Sequence, residues 1–206
     1  MLPRWLHALN SSPPCDTFAL ARRRAKEIRS QFGHDPEFRQ FEQAVYVWQT
    51  DAEGCSRLRA AAAALPRGEV AHENARVLLR TVAQASPDAP RLYRGMWVRI
   101  TEWEVLAEAT VGAHVDIALA SFTSEFNWAL DFAWLGSDDE EGTEVVLCLE
   151  PGAQAVRNDL LAPDEVHWRA REWITGGRFL VTASGYLSNE GRVELSLVHE
   201  GAFHAR

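Results

Sequence analysis

The sequence predicts an α+β fold in which a helical N-terminal region precedes a core of mostly antiparallel strands. Apolar residues recur at three- and four-residue intervals through roughly the first ninety positions, the spacing of helices that bury one face. After the turn-forming segment SPDAP at 86–90, apolar and polar residues alternate as in half-buried strands. Helices and strands do not alternate in the way that builds a doubly wound parallel sheet, so antiparallel pairing is expected.

The helical region divides into successive amphipathic segments. One helix has its apolar face at Phe18, Ala21, Ala25, Ile28 and Phe32. In the next, Asp35 suits the N-cap and Pro36 the first turn. Its apolar stripe is Phe38, Phe41, Val45 and Trp48.

Two further helices are expected before the strands begin. Ser56 is the predicted cap of the helix over CSRLRAAAAAL, which PRG at 66–68 ends. The next helix runs roughly from Val70 to Ala85. Strands are then predicted at 91–100, within 104–120, and at 143–150, 178–187 and 192–199, with one helix at 127–135. We therefore expect a helical region over 1–90 and a core over 91–206 that together form one compact unit.

Composition restricts the function classes. The chain has 206 residues, of which 47% are hydrophobic, enough for one well-packed domain. A formal net charge of −8 argues against broad polyanion binding. The three cysteines, Cys15, Cys55 and Cys148, form no CxxC and cannot all pair, which favours reduced thiols. No segment has the pattern of a signal peptide or a membrane span, so a cytoplasmic protein is expected.

Common nucleotide, metal and nucleophile motifs are absent from the sequence: there is no GxGxxG, GxxxxGK[ST], HExxH or GxSxG. The histidines lack metal-ligand spacing, and HEN at 72–74 is best explained as helix surface. The acidic segment SDDEEG at 137–142 lacks the alternation of a calcium loop and predicts a solvated turn. No metal is expected.

Three separated stretches fit one known pattern. RLYRGMWV at 91–98 places Arg94 and Gly95 in a strand, and ASFTSEFNWALDFA at 120–133 is a strand ending in hydroxyl residues before a helix. REWITGGRFLV at 171–181 places Glu172 before an apolar pair, a glycine turn and a strand. Their order resembles the arginine-serine-glutamate class of ADP-ribosyltransferases over residues 91–200, especially compact, toxin-like proteins of bacteria and phages.

The resemblance implies a fold of two packed sheets and a mono-ADP-ribosyltransferase, a glycosyltransferase that cleaves NAD and passes ADP-ribose to a macromolecule. The expected catalytic residues are Glu172, Arg94 and Ser121, and the expected NAD-binding residues are Arg94, Gly95, Ser121, Phe122 and Thr123. NAD is then a substrate. The acceptor is expected to be a protein rather than a nucleic acid, in the cytoplasm of the producing or infected bacterial cell.

Physical chemistry supports these roles. Loss of nicotinamide leaves an oxocarbenium-like ribose, which a carboxylate such as that of Glu172 stabilises by several kcal/mol in a dry cleft. The Arg94 guanidinium can bind the diphosphate or the ribose oxygens of NAD with two parallel hydrogen bonds. Gly95 leaves its backbone open to the nicotinamide amide. Ser121 is expected to support Glu172, and Phe122, Phe126 and Trp128 are candidates for stacking on nicotinamide.

Several alternatives stay open in the sequence. The hydroxyl element could begin one residue later, which would use Thr123 and Ser124, and Glu165 competes with Glu172. Relatives that modify arginine or asparagine usually carry Glu or Gln two residues before the catalytic glutamate, where this chain has Ala170. That departure makes an NAD glycohydrolase an alternative, and a non-catalytic binding or virion-associated protein is another. His167 and Trp168 are candidates to contact the acceptor.

Overall fold

The structure is a computed structural model that describes residues 2–64, 72–99, 111–135, 141–187 and 191–203. The helices are α1 (Arg4–Asn10), α2 (Phe18–Phe32), α3 (Pro36–Thr50), α4 (Ala52–Ala63), α5 (Glu73–Gln84), α6 (Phe126–Leu135) and α7 (Glu165–Arg169). The strands are β1 (Leu92–Arg99), β2 (His114–Thr123), β3 (Gly142–Leu149), β4 (Ala155–Arg157), β5 (Glu172–Leu187) and β6 (Arg192–Gly201). None of the helices described here has the length and apolar composition needed to cross a bilayer.

Helix starts follow the capping residues. The Asp35 carboxylate accepts hydrogen bonds from the backbone N–H groups of Glu37 and Phe38, so the predicted start of α3 is confirmed. The prediction of Ser56 as a cap is wrong. Asp51 ends α3 and caps α4 by accepting from the Gly54 N–H at 2.8 Å. An ionised carboxylate at this junction begins the helix earlier, which leaves Ser56 in its interior.

The strands form a sheet in the order β2-β1-β3-β6-β5-β4, and β2 also pairs with β5. The sheet therefore closes on itself, with β4 at its edge. Among the described strands only β3 and β6 pair in parallel, so the α+β class with mostly antiparallel strands is confirmed. The two expected sheets are joined through β5, because its first half pairs with β2 and β4 and its second half with β6.

The predicted glycine turn at 176–177 is wrong, since β5 runs through both glycines without reversing. A Cβ on Gly176 would lie 2.0 Å from the Ala118 carbonyl oxygen, and one on Gly177 would lie 2.2 Å from that of Gly201. The glycines therefore allow close backbone approach beside irregularities in the pairing with β2 and β6. As a result, the strand begins at Glu172 rather than at Arg178.

Two apolar clusters hold these layers together. The first joins the helices to the outer face of the sheet through Leu119, Val156 and Ile174. The second fills the space enclosed by the strands, where Phe122 and Phe179 are almost fully buried. Neighbouring residues of a strand point to opposite faces, so β2 and β5 each contribute to both clusters. The helical region is consequently packed against the strands that carry Ser121 and Glu172.

Candidate active site

A cavity of about 370 Å³ lies between helices α3 and α4 and strands β1, β2 and β5. Every residue predicted for NAD binding or catalysis lines this cavity: Arg94, Gly95, Ser121, Phe122, Thr123 and Glu172. The helical region contributes four further lining residues: Trp48, Gln49, Cys55 and Arg59. The site is therefore built jointly by the helices and the strands, and the roles of its residues stay predictions.

Strand pairing brings the predicted residues together. Thr123, the last residue of β2, pairs with Glu172 on β5 and with Tyr93 on β1. Arg94 follows Tyr93, and its Nη1 donates to the backbone carbonyl of Ser121 at 2.8 Å. The three strand ends thus meet at a single point of the closed sheet.

The Glu172 carboxylate accepts hydrogen bonds from three side chains. Its Oε1 accepts from the indole Nε1 of Trp48 at 3.1 Å. Its Oε2 accepts from Nε2 of Gln49 at 3.0 Å and from Nδ2 of Asn158 at 2.7 Å. Trp48 Nε1 also donates to the Ser121 hydroxyl at 2.9 Å, so Ser121 and Glu172 are linked through a shared donor. These bonds fix the carboxylate at the wall of the cavity.

The backbone that carries Glu172 is held from behind. Arg171 is the single non-glycine residue with positive φ in the described parts of the chain, at φ 48. Its guanidinium donates to the Cys15 carbonyl at 2.7 Å and lies over the Trp168 ring at 4.4 Å. Such a left-handed residue persists only where surrounding contacts hold it. The start of β5 is therefore anchored to the N-terminal segment and to α7.

Two guanidinium groups face the cavity on the side of α4 and β1. Burial, followed by repulsion from Arg59, lowers the pKa of Arg94 to about 10. Arg59 lies over the Trp48 ring at 5.0 Å, and its Nε is buried with no hydrogen-bond partner in the part of the chain that the structure describes. Among the described residues, neither guanidinium forms an ion pair with a carboxylate. Two guanidinium groups and one carboxylate, that of Glu172, line the same cavity, and this excess of positive charge favours an anionic ligand.

Gly95 has a packing function in addition to its place in the cavity wall. A Cβ at this position would lie 1.6 Å from the Ala129 carbonyl oxygen of α6. Only glycine lets α6 approach β1 this closely, and Ala129 is itself fully buried. The predicted contact of the Gly95 backbone with nicotinamide stays a prediction.

The hydroxyl element lies at the end of β2. Ser121 and Thr123 line the cavity, and the Thr123 hydroxyl also accepts from the Glu125 backbone N–H at 2.9 Å. The Ser124 backbone N–H bonds to the Arg171 carbonyl, and Ser124 is outside the lining. This arrangement supports the register that begins at Ser121.

The aromatic candidates differ in position. Phe122 lines the cavity but is 2% exposed, and Phe126 packs edge-on against Tyr93 at 5.2 Å. Trp128 packs against Phe132, which lines the cavity and is 48% exposed. Phe132, which was not among the candidates, is therefore more accessible to a ligand in the cavity than Phe122.

The segment before Glu172 forms one rim of the cavity. His167 and Ala170 line it, whereas Trp168 is buried beneath Arg171. Glu165 pairs with Arg169 on the exposed side of α7, away from the lining. The rim thus offers an imidazole but no side-chain amide or carboxylate from position 170.

Sequence reasoning did not find the site residues of the helical region or Asn158. Trp48 appeared only as an apolar stripe residue, and Gln49, Cys55 and Arg59 belong to no motif. The cysteines of the described residues are free, and burial raises the pKa of the Cys55 thiol. Nor do the described residues contain a group of His, Cys, Asp or Glu arranged for a metal ion. Most of the acidic segment 137–142 lies outside them.

The closed sheet, the helices packed against it and the cavity between them define a class of protein. The chain has the fold of the ADP-ribosyltransferases, as solved structures of these enzymes show. Comparison with family models and with the sequences of curated proteins gives no match. The likeness therefore lies in three-dimensional structure rather than in overall sequence.

Three bacterial ADP-ribosyltransferases illustrate the likeness. Vis from Vibrio splendidus, solved in complex with agmatine, is 16% identical, and the match covers 93% of this chain and 89% of that one, with a TM-score of 0.55. The Clostridium limosum C3 exoenzyme is 8% identical over 93% and 98%, with a TM-score of 0.57. C3stau2 from S. aureus, solved with NAD, is 14% identical over 92% and 99%, with a TM-score of 0.53.

Proposed function

We propose that the chain is a mono-ADP-ribosyltransferase that cleaves NAD and transfers ADP-ribose to a macromolecular acceptor. The observation that carries the proposal is the convergence of Arg94, Ser121 and Glu172 on one cavity. A second guanidinium, that of Arg59, lies in the same cavity without an acidic partner among the described residues. The two guanidinium groups suit the dianionic diphosphate of NAD, and the Glu172 carboxylate suits the positive charge that develops on the ribose.

The residues divide the work of NAD cleavage between binding and charge stabilisation. Arg94 and Arg59 bind the diphosphate, which neutralises two guanidinium groups that otherwise repel each other. Glu172 accepts a hydrogen bond from a ribose hydroxyl and stabilises the oxocarbenium-like ribose as nicotinamide leaves as a neutral molecule. Ser121 and Trp48 hold the carboxylate side of the cavity in place.

The acceptor is proposed to enter past α7, where His167 lines the rim. Vis was solved with agmatine, a guanidinium compound, bound to it. In this chain a guanidinium acceptor could not form a hydrogen bond to the side chain at position 170, because Ala170 has no polar atom there. We therefore propose a protein acceptor recognised partly through surfaces outside the cavity.

Labelled NAD tests the proposal directly. The wild-type chain, incubated with labelled NAD and a cell lysate, should release nicotinamide and label macromolecules. Glu172→Gln should lose both activities by about 10²–10³-fold, the usual effect of removing one group that stabilises transition-state charge. Full activity in this variant, or no NAD cleavage by the folded wild type, would refute the proposal. Mass spectrometry of the labelled material then identifies the acceptor.

A second candidate function is NAD glycohydrolase activity, in which water is the acceptor. Ala170 favours it, because the rim lacks a side chain that would hold a specific acceptor beside Glu172. Nicotinamide release without labelled macromolecules would support this activity. Labelling at a rate comparable to nicotinamide release would exclude it as the main reaction.

A further inference from the structure

The two oxygens of the Glu172 carboxylate are not equally available to a ligand. Each carboxylate oxygen has two lone pairs that can accept hydrogen bonds. Oε2 accepts from both Gln49 and Asn158, so both of its lone pairs are occupied. Within the described parts of the chain, Oε1 accepts only from Trp48, whose N–H is shared with Ser121. Oε1 is therefore the oxygen that can receive a substrate hydroxyl.

Gln49 holds its position at an energetic cost. Its Nε2 donates to Glu172, but its own amide oxygen is buried without a hydrogen-bond partner among the described residues. A buried, unpaired carbonyl oxygen destabilises the folded chain. Gln49 also lies in the last turn of α3 and lines the cavity, so its side chain can affect a bound ligand. The polar contact with Oε2 is thus better explained by function than by stability.

We propose that Gln49 is a positioning residue that suppresses hydrolysis of NAD by occupying Oε2 of Glu172. The inference rests on the proposed function, since it assumes that Glu172 acts on NAD. With Oε2 occupied and the remaining lone pair of Oε1 taken by the ribose hydroxyl, the carboxylate stabilises the ribose cation but has no lone pair left to accept a proton from water. Asn158, which is fully buried, donates a hydrogen bond to Oε2 and so occupies its other lone pair.

The chemistry of NAD hydrolysis explains why hydrogen bonds to Oε2 of Glu172 slow the reaction with water more than the reaction with another acceptor. In hydrolysis the water oxygen bonds to C1′ of the ribose, and the bond from C1′ to the nicotinamide nitrogen breaks with its electron pair leaving on nicotinamide. The products are ADP-ribose, nicotinamide and the proton lost by water. Water is a weak nucleophile that gains much from a base that takes this proton. A stronger nucleophile can attack first and lose its proton to solvent afterwards.

Acceptor-free NAD cleavage tests the proposal. Gln49→Ala opens the space beside Oε2 to water, and nicotinamide release without acceptor should rise by roughly tenfold, a modest share of what a general base provides. Gln49→Met removes the amide but fills a similar volume, so water stays excluded and the rate should stay within about twofold of wild type. Gln43→Ala, at an exposed position on the same helix, should have no effect.

The outcomes separate this inference from the proposed function. A wild type that cleaves NAD and a Glu172→Gln variant that does not would support the proposed function. If Gln49→Ala then hydrolysed NAD no faster than wild type, the inference alone would be overturned. Gln49→Ser opens the same space with a polar side chain, so it provides the measurement if Gln49→Ala does not fold. Misfolding cannot produce the expected gain in rate.

Discussion

The indole N–H of Trp48 on α3 donates to Oε1 of Glu172 at 3.1 Å, across 124 positions of sequence. The same N–H donates to the Ser121 hydroxyl at 2.9 Å. A residue of the helical region therefore holds two residues of the strands in a fixed relation, although it belongs to none of the recognised motif segments.

Trp48→Phe should lower kcat for NAD cleavage by about tenfold, because a hydrogen bond to a charged group is lost while most of the packing is kept. KM for NAD should change by less than about twofold. Steady-state nicotinamide release measures both constants. Trp5→Phe is the matched control, because the Trp5 indole N–H is buried in the helical core and has no partner in the described ranges of the chain. Equal kcat losses in the two variants would contradict a specific role for Trp48.

Arg94→Met should stabilise the fold while it weakens NAD binding. Burial lowers the pKa of Arg94 to about 10, so the charged form is disfavoured in the folded state. This destabilisation is fully present below pH 10 and disappears as the pH rises towards the unfolded value. Removing the charge should add about 1–3 kcal/mol to the free energy of unfolding at pH 7. Thermal and denaturant unfolding measure the change.

The Arg94 charge should be visible in binding as well. NAD affinity of the wild type should fall as the pH rises through about 10, where the guanidinium loses its proton. Calorimetric titration should show weaker NAD binding in Arg94→Met than in the wild type, without the fall in affinity near pH 10. Tight binding in the variant would show that the diphosphate lies elsewhere.

Arg59→Met should raise KM for NAD by about tenfold, because one of two guanidinium groups available to the diphosphate is removed. The kcat value should change little, because Arg59 lies close enough to Arg94 to repel it and has no hydrogen bond to Glu172 among the described contacts. Arg57→Met is a close control on the same helix, where Arg57 is exposed and pairs with Asp51. A KM unchanged in Arg59→Met, or raised equally in Arg57→Met, would exclude this role.

Gly95→Ala should destabilise the fold by about 3 kcal/mol or more, because the new Cβ would lie 1.6 Å from the Ala129 carbonyl oxygen. The backbone of α6 would have to move away from β1. Gly185→Ala is the control, since a Cβ there meets nothing within 4 Å. Denaturant unfolding of the two variants gives the comparison. Similar stabilities would show that α6 shifts easily.

Local signals carried a large part of the prediction. The apolar stripe of α2, the Asp35 cap of α3 and the alternation through β1 and β3 reflect interactions between residues a few positions apart. Such patterns predicted the α+β class and most of the longer elements in order, but not the short elements α1, β4 and α7. They failed to identify Asp51 as the cap of α4. They also predicted a turn at the glycines of β5, where the structure has a continuous strand that neighbouring backbone approaches closely.

What the sequence determined by itself was most of the longer elements and the three stretches that hold Arg94, Ser121 and Glu172. Tertiary structure alone decided that the strand ends of β1, β2 and β5 meet, and that Trp48, Gln49 and Arg59 complete the cavity. The physical reason is the sequence distance over which each interaction acts, because helix periodicity and capping involve residues only a few positions apart. Carboxylate hydrogen bonds and charge repulsion depend on distances in space that no local pattern encodes.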